Sequence, residues 1–180
     1  SAGEVTRRLC ERSRWSDLVV FNLAYPPSPQ PLARFNSGVR AMIQRCSAPV
    51  LAVPGIISPL SRILLAYDGS PKAQEALYVA TYLTGQWCIP LVVVSILREG
   101  RVTRETQVQA QEYLESHGVQ ATFEARIGSV ADAILRTAEA HQSDFIIMGG
   151  YGRGPLLNVF IDDVVDQVLR GSRKPVLLCR

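Results

Sequence analysis

The chain has 180 residues, with 19 Lys and Arg against 16 Asp and Glu, a formal net charge of +3 and 47% apolar residues. That balance fits a globular chain of one domain or somewhat more, and its small, scattered charge argues against a nucleic-acid partner, the one basic cluster being "RGSRK" at 170–174. No apolar run approaches the ~18 residues of a membrane span, and the polar start "SAGEVTRRLCERSRW" does not read as a signal peptide, so no membrane contact is expected.

In chain order, "GEVTRRLCERSRW" reads as a helix and "DLVVFNL" (17–23) as a strand. A proline-rich loop follows, then a helix capped in the Asn36-Ser37-Gly38 region and a closing strand around Val50–Val53. "RILLAYD" (62–68) is an apolar strand ending at Asp68. The next helix has Ser70 as N-cap, Pro71 in its first position, one apolar face (Ala76, Leu77, Ala80, Leu83) and Gly85 as a stop. "PLVVVSIL" (90–97) is a buried strand, 103–118 a polar helix ended by Gly118, and "VQATFEARI" (119–127) a further strand. A helix at 128–142 is capped by Ser129 and carries Val130, Ile134 and Ala138 on one stripe. "DFIIMGG" (144–150) is a strand, a helix spans Val164 to Arg170 with Gly171 just past its end, and "PVLLC" (175–179) is the last strand.

Apolar strands separated by amphipathic helices call for a parallel sheet covered on both faces, wound with right-handed crossovers. Segments 16–54 and 143–180 are alike: each opens on Ser-Asp and runs strand, loop, helix and a closing "x-P-V-L" strand. This self-similarity predicts a duplication, with residues 1–60 the C-terminal half of one domain and 61–180 a complete second domain. With half a sheet unable to bury a core alone, the native product is expected to extend upstream of Ser1 by roughly another hundred residues. Cys10, Cys46, Cys88 and Cys179 are far apart in sequence and fit no zinc or redox spacing, so they read as reduced, mostly buried thiols of a cytoplasmic protein. His117 and His141 stand at helix ends, where a favourable C-terminal charge accounts for them.

"ILLAYDGSPKAQEAL", "IGSVADAIL" and "DFIIMGGYGRG…KPVLL" together resemble the universal stress protein family across essentially all of 61–180, and 1–60 resembles the second half of another such domain. The resemblance implies an α/β, doubly wound, five-stranded parallel sheet in the order 3-2-1-4-5, of the adenine nucleotide alpha hydrolase-like type, with domains paired through their last strands, within the chain or across a dimer. Nucleotide-binding members hold ATP with Gly-x2-Gly-x9-Gly followed by Ser or Thr. Gly149 and Gly152 match the first two positions, but Asp162 and Asp163 replace the third glycine and the Ser/Thr.

A sheet of that order places its ligand crevice at the carboxyl ends of strands 1 and 4, beside Asp68 and Gly149. The resemblance implies that Asp68 contacts a nucleoside, that Met148 and Ile96 line the base, and that Val164 opens the last helix. Arg153 is in reach of a phosphate, and glycines let backbone N–H groups approach one. Equally, Asp68-Gly69-Ser70 reads as a strand-to-helix turn and Gly149–Gly154 as a tight turn. Aspartates at the start of the last helix would accept its free N–H groups and repel a triphosphate, leaving a degenerate ATP site; a divalent ion such as Mg2+ bridging carboxylates and phosphates is the alternative. The first repeat, with Asn22 and "NLAYPPSPQP", offers no anion site.

Three functions compete: a non-catalytic stress-response module acting through protein partners, a regulator binding ATP or AMP through Asp68 and the Gly149/Gly152 loop, and a hydrolase-like enzyme. The enzymes need a Ser-Gly-Gly-x-Asp-Ser loop where this chain has "YDGSPKA", and no nucleophile–base pair or metal set is visible, so no catalytic residues are expected.

Overall fold

The computed structural model describes residues 2–24, 26–28, 30, 38–100, 102–151 and 163–180. The described elements are α1 (Ala2–Arg12), β1 (Val19–Asn22), α2 (Gly38–Arg45), β2 (Val50–Val53), β3 (Ile63–Ala66), α3 (Pro71–Trp87), β4 (Leu91–Ile96), α4 (Arg104–Ser116), β5 (Ala121–Arg126), α5 (Val130–Ala140), β6 (Phe145–Gly149), α6 (Val164–Gly171) and β7 (Val176–Cys179).

The strands form one seven-stranded sheet in the order β1-β2-β7-β6-β3-β4-β5. Its five strands from residue 61 onward, β5-β4-β3-β6-β7, are all parallel and follow the order 3-2-1-4-5. The sheet does not stop at five: β2 joins β7 antiparallel, with Leu51 opposite Leu177, and β1 adds in parallel to β2. The two end pairs start alike, Val19 N–H donating to the Pro49 carbonyl at 2.9 Å and Ile146 N–H to that of Pro175 at 3.0 Å.

Strand alternation divides the core. Leu64, Val92, Val94, Ile96, Ile146, Met148, Val176 and Leu178 face a layer that holds residues of α2, α5 and α6. Ile63, Leu65, Leu91, Val93, Phe145, Ile147 and Leu177 face α3 and α4. Ile63, Leu64, Leu65, Ile146 and Ile147 are fully buried, and each such side chain contributes ~1.5–3 kcal/mol over leaving it in water.

Several helix ends differ from expectation. Gly85 does not stop α3, which runs on to Trp87 and ends at Cys88 in the left-handed region (φ 52). Gly171 is the last residue of α6 and Ser172 caps it; a Cβ at Gly171 would come within 2.5 Å of Leu135 Cδ1, so the tip of this α5 side chain occupies the space a larger residue would need. Ser129 holds the N-cap position of α5, but its hydroxyl makes no capping bond. Ser70 caps α3 as expected, accepting from Ala73 N at 3.3 Å. His117 and His141 do end α4 and α5, and His141 Nε2 pairs with Glu124 Oε1 at 3.0 Å.

The cysteines also differ. Cys88 is exposed and Cys10 half-buried, while Cys46 and Cys179 are buried; all four are free. Cys10 and Cys46, 36 positions apart, stand with their sulfurs at 3.0 Å. Among the described residues no helix is long and apolar enough to cross a membrane.

Candidate functional site

The chain connects β3 to β4 to β5 on one side of β3 and then returns to place β6 on its other side. A crevice must open where the connections diverge, at the carboxyl ends of β3 and β6. A cleft of about 1160 Å³ lies there. Its wall includes Asp68, Ile96, Met148, Gly149, Asp163 and Val164. The fold thus brings together six of the nine residues singled out from the sequence. The other three, Gly152, Arg153 and Asp162, lie outside the described residues, as do Gly154, Asn36 and Ser37.

One end of the cleft is apolar. Ile96 ends β4, Met148 stands near the end of β6, and Val130 and Ile134 of α5 pack beside them. Asp68 marks the mouth: it is exposed, and its Oδ1 accepts from Ser70 N at 3.0 Å. Gly69 between them has φ +74, a conformation that suits glycine, and a Cβ there would lie 2.8 Å from Thr106 Cγ2. The strand-to-helix turn therefore engages one Asp68 oxygen, on a residue that is itself exposed.

Gly149 is needed for packing. A Cβ there would meet Lys72 Cβ at 3.0 Å, Lys72 C at 3.1 Å and Ala73 N at 3.2 Å, so the first turn of α3 lies directly against the end of β6. Gly150 is also committed, its N–H donating to the Cys179 carbonyl at 2.6 Å. Beyond it, Lys72 Nζ donates to the Tyr151 carbonyl.

The rest of the wall is charged with both signs, Asp163 standing with Lys72, Arg98 and Arg180 among its lining residues. Asp163 is the N-cap of α6, its Oδ1 accepting from Val165 N at 3.1 Å, so a side chain occupies the position a bound anion would take. Its Oδ2 is 3.9 Å from Arg40 Nη2. Arg40, on α2, also donates from Nη1 to Asp166 Oδ2 at 3.1 Å, and its guanidinium lies over the Tyr151 ring, 4.5 Å from the centroid. The Tyr151 hydroxyl donates to Asp166 Oδ1. Asp166 is fully buried and Arg40 nearly so. Burial, then the hydrogen bond to Asp166 and its charge, push the Tyr151 phenol far above its ordinary range, which keeps it a neutral donor.

Sequence reading missed Arg40, Lys72, Tyr151 and Asp166. Arg40 and Asp166 are 126 positions apart, and no local spacing connects them. The one available signal was Asp166, a charged residue among the apolar positions of "DVVDQVL".

A model of the universal stress protein family matches residues 59–180. A universal stress protein of Synechocystis sp. is 27% identical over 150 residues, covering 81% of this chain and 51% of that protein. A universal stress protein structure from Archaeoglobus fulgidus superposes with a TM-score of 0.81 at 20% identity, covering 97% of this chain and 64% of that one. The chain therefore spans about half to two thirds of the length of these two. Two further structures share the fold: a universal stress protein in complex with cAMP (TM-score 0.59, 17% identity, 67% of this chain and 96% of that one) and one from A. fulgidus in complex with dAMP (0.53, 21%, 66% and 97%). With its family motifs on one cleft and the family match covering residues 59–180, the chain belongs to the universal stress protein family.

Proposed function

We propose that this protein is a non-catalytic stress-response module, cytoplasmic, whose cleft is degenerate toward ATP and which acts through protein partners or pairing with another copy. The observation that carries this reading is the Asp163 carboxylate on the N-terminus of α6, in the wall of the cleft. A helix N-terminus attracts anions through its free N–H groups and dipole, and a carboxylate already there satisfies one and neutralises the other. The turn "YDGSPKA" with its single Gly69 speaks against pyrophosphate chemistry, and free thiols suit a reducing compartment.

A second reading is favoured by the apolar end. Asp68, Ile96 and Met148 stand together as an adenosine pocket would require, and the two ligand-bound structures of this fold are described as complexes with cAMP and dAMP, each a monophosphate. In that reading the protein responds to an adenine nucleoside monophosphate.

Titration calorimetry of the full chain with adenosine, AMP and MgATP tests both. The first reading expects MgATP to bind no more tightly than AMP, and the second expects measurable AMP binding besides. MgATP binding tenfold tighter than AMP would overturn the degenerate-site reading, and no heat from either AMP or adenosine would overturn the second.

A further inference from the structure

The two sulfurs that the fold brings together belong to α1 and to the residue that follows α2. Cys46 is held in the last turn, its N–H donating to the Met42 carbonyl at 2.8 Å. The neighbouring serines fasten the two elements: Ser13 Oγ donates to the Cys10 carbonyl at 2.8 Å, Ser47 N donates to Ser13 Oγ at 3.0 Å, and the hydroxyls of Ser13 and Ser47 are 3.2 Å apart. The sulfur contact at 3.0 Å is therefore the centre of a fixed junction. A disulfide needs the sulfurs at about 2.05 Å, an approach of roughly 1 Å. Their exposures differ: Cys10 is half-buried, whereas Cys46 is wholly buried.

We propose that Cys10 and Cys46 are a redox pair that closes to a disulfide on reaction with a low-molecular-weight disulfide, Cys10 attacking and Cys46 resolving. The Cys10 thiolate attacks one sulfur of the oxidant and displaces the first small thiol, leaving a mixed disulfide on Cys10. The Cys46 thiolate then attacks the Cys10 sulfur and displaces the second. Both protein thiol protons end on the two released small thiols, so the protein loses two electrons and the oxidant gains them. Cys46 cannot be the first to react, because it has no exposed surface; once Cys10 carries the adduct, Cys46 stands 3.0 Å from the Cys10 sulfur, and the attack that closes the last ~1 Å is intramolecular.

Burial, and then the Cys46 thiol beside it, push the Cys10 thiol up to about 12 against the opposing pull of the Arg45 charge. The first step is therefore slow at neutral pH and accelerates as the thiolate fraction grows, about tenfold per pH unit well below that value. The bond also fixes the end of the helix that carries Gln44 to the cleft wall and Arg40 to Asp163, so oxidation would rigidify that side of the cleft.

The test uses the full chain with the exposed Cys88 replaced (Cys88→Ser), incubated with oxidised glutathione at pH 7, 8 and 9 and mapped by mass spectrometry without reduction. The expected result is a Cys10–Cys46 linked peptide, reversed by dithiothreitol, forming faster with each pH step. Adding Cys46→Ser should leave glutathione on Cys10, and adding Cys10→Ser should leave Cys46 unmodified. Two results would overturn the proposal: persistent glutathione on Cys10 with Cys46 intact, or a linked peptide that forms only after denaturant while circular dichroism shows the untreated protein folded.

Discussion

Arg40 Nη1 lies 3.1 Å from Oδ2 of Asp166, joining α2 to α6 through a buried contact. The same guanidinium covers Tyr151 and approaches Asp163, so one residue of the first sixty stands against a carboxylate of the cleft wall. Replacing Arg40 removes the cation from a fully buried carboxylate. Arg40→Met should therefore cost about 3 kcal/mol in urea unfolding. Arg40→Met with Asp166→Leu should cost less than the two single changes summed, since the second removes the charge the first exposes. Additive losses would show that the two residues do not act as a pair.

Asp163 should control the discrimination between phosphate chain lengths. A like-charge pair at ~4 Å costs about 4 kcal/mol at an effective dielectric near 20, and Arg40 at 3.9 Å offsets much of it. About 1–2 kcal/mol remains, roughly tenfold in affinity. Asp163→Ser keeps a capping hydroxyl and removes the charge, so MgATP should bind about tenfold more tightly while adenosine is unaffected. Equal gains for both ligands would point to a reshaped pocket instead of removed repulsion.

Asp144 ties the segment before β3 to the start of β6. Burial alone would raise its carboxyl, but bonds from Ser61 N at 3.0 Å, Arg62 N at 2.8 Å and Ser61 Oγ at 2.9 Å outweigh it, and the group is held below its ordinary range. A carboxyl depressed in the folded state contributes stability that is complete above its unfolded value, about 3.9, and lost as pH falls through the folded one. Asp144→Asn should thus destabilise by about 1–2 kcal/mol at pH 7, and the difference from wild type should shrink below pH ~4. A gap constant from pH 7 to 3 would exclude the charge as its source.

The outer edge of the sheet gives an amide-level prediction. Val19 and Leu23 donate to the Pro49 and Val53 carbonyls, so strand geometry turns the N–H groups of Val20 and Asn22 away from β2. Among the described residues β1 is the outermost strand. Hydrogen exchange of the isolated chain should be slow at Val19 and Leu23 and fast at Val20 and Asn22. Protection at all four would mean that another strand lies on that edge.

The elements were legible because their causes are local. The apolar run of "ILLA" dictates a strand covered on both faces, and Ser70-Pro71 starts α3 because a hydroxyl and a missing N–H suit the first helical turn. The residues of the cleft were legible through motifs that stand at strand ends, where Asp68, Met148 and Gly149 are carried by the backbone itself. Contacts between distant elements were not. Gly171 reads as a helix stop until Leu135 of α5 is found beside it, and nothing in the sequence sets Arg40 against Asp166 or Cys10 against Cys46. The strands, the helices and the aspartate at the start of α6 follow from the local order of residues. What those groups face follows from packing, because burial, charge pairing and sulfur proximity depend on which helices the sheet brings together, and β2 joining β7 is what carries α2 to Asp163.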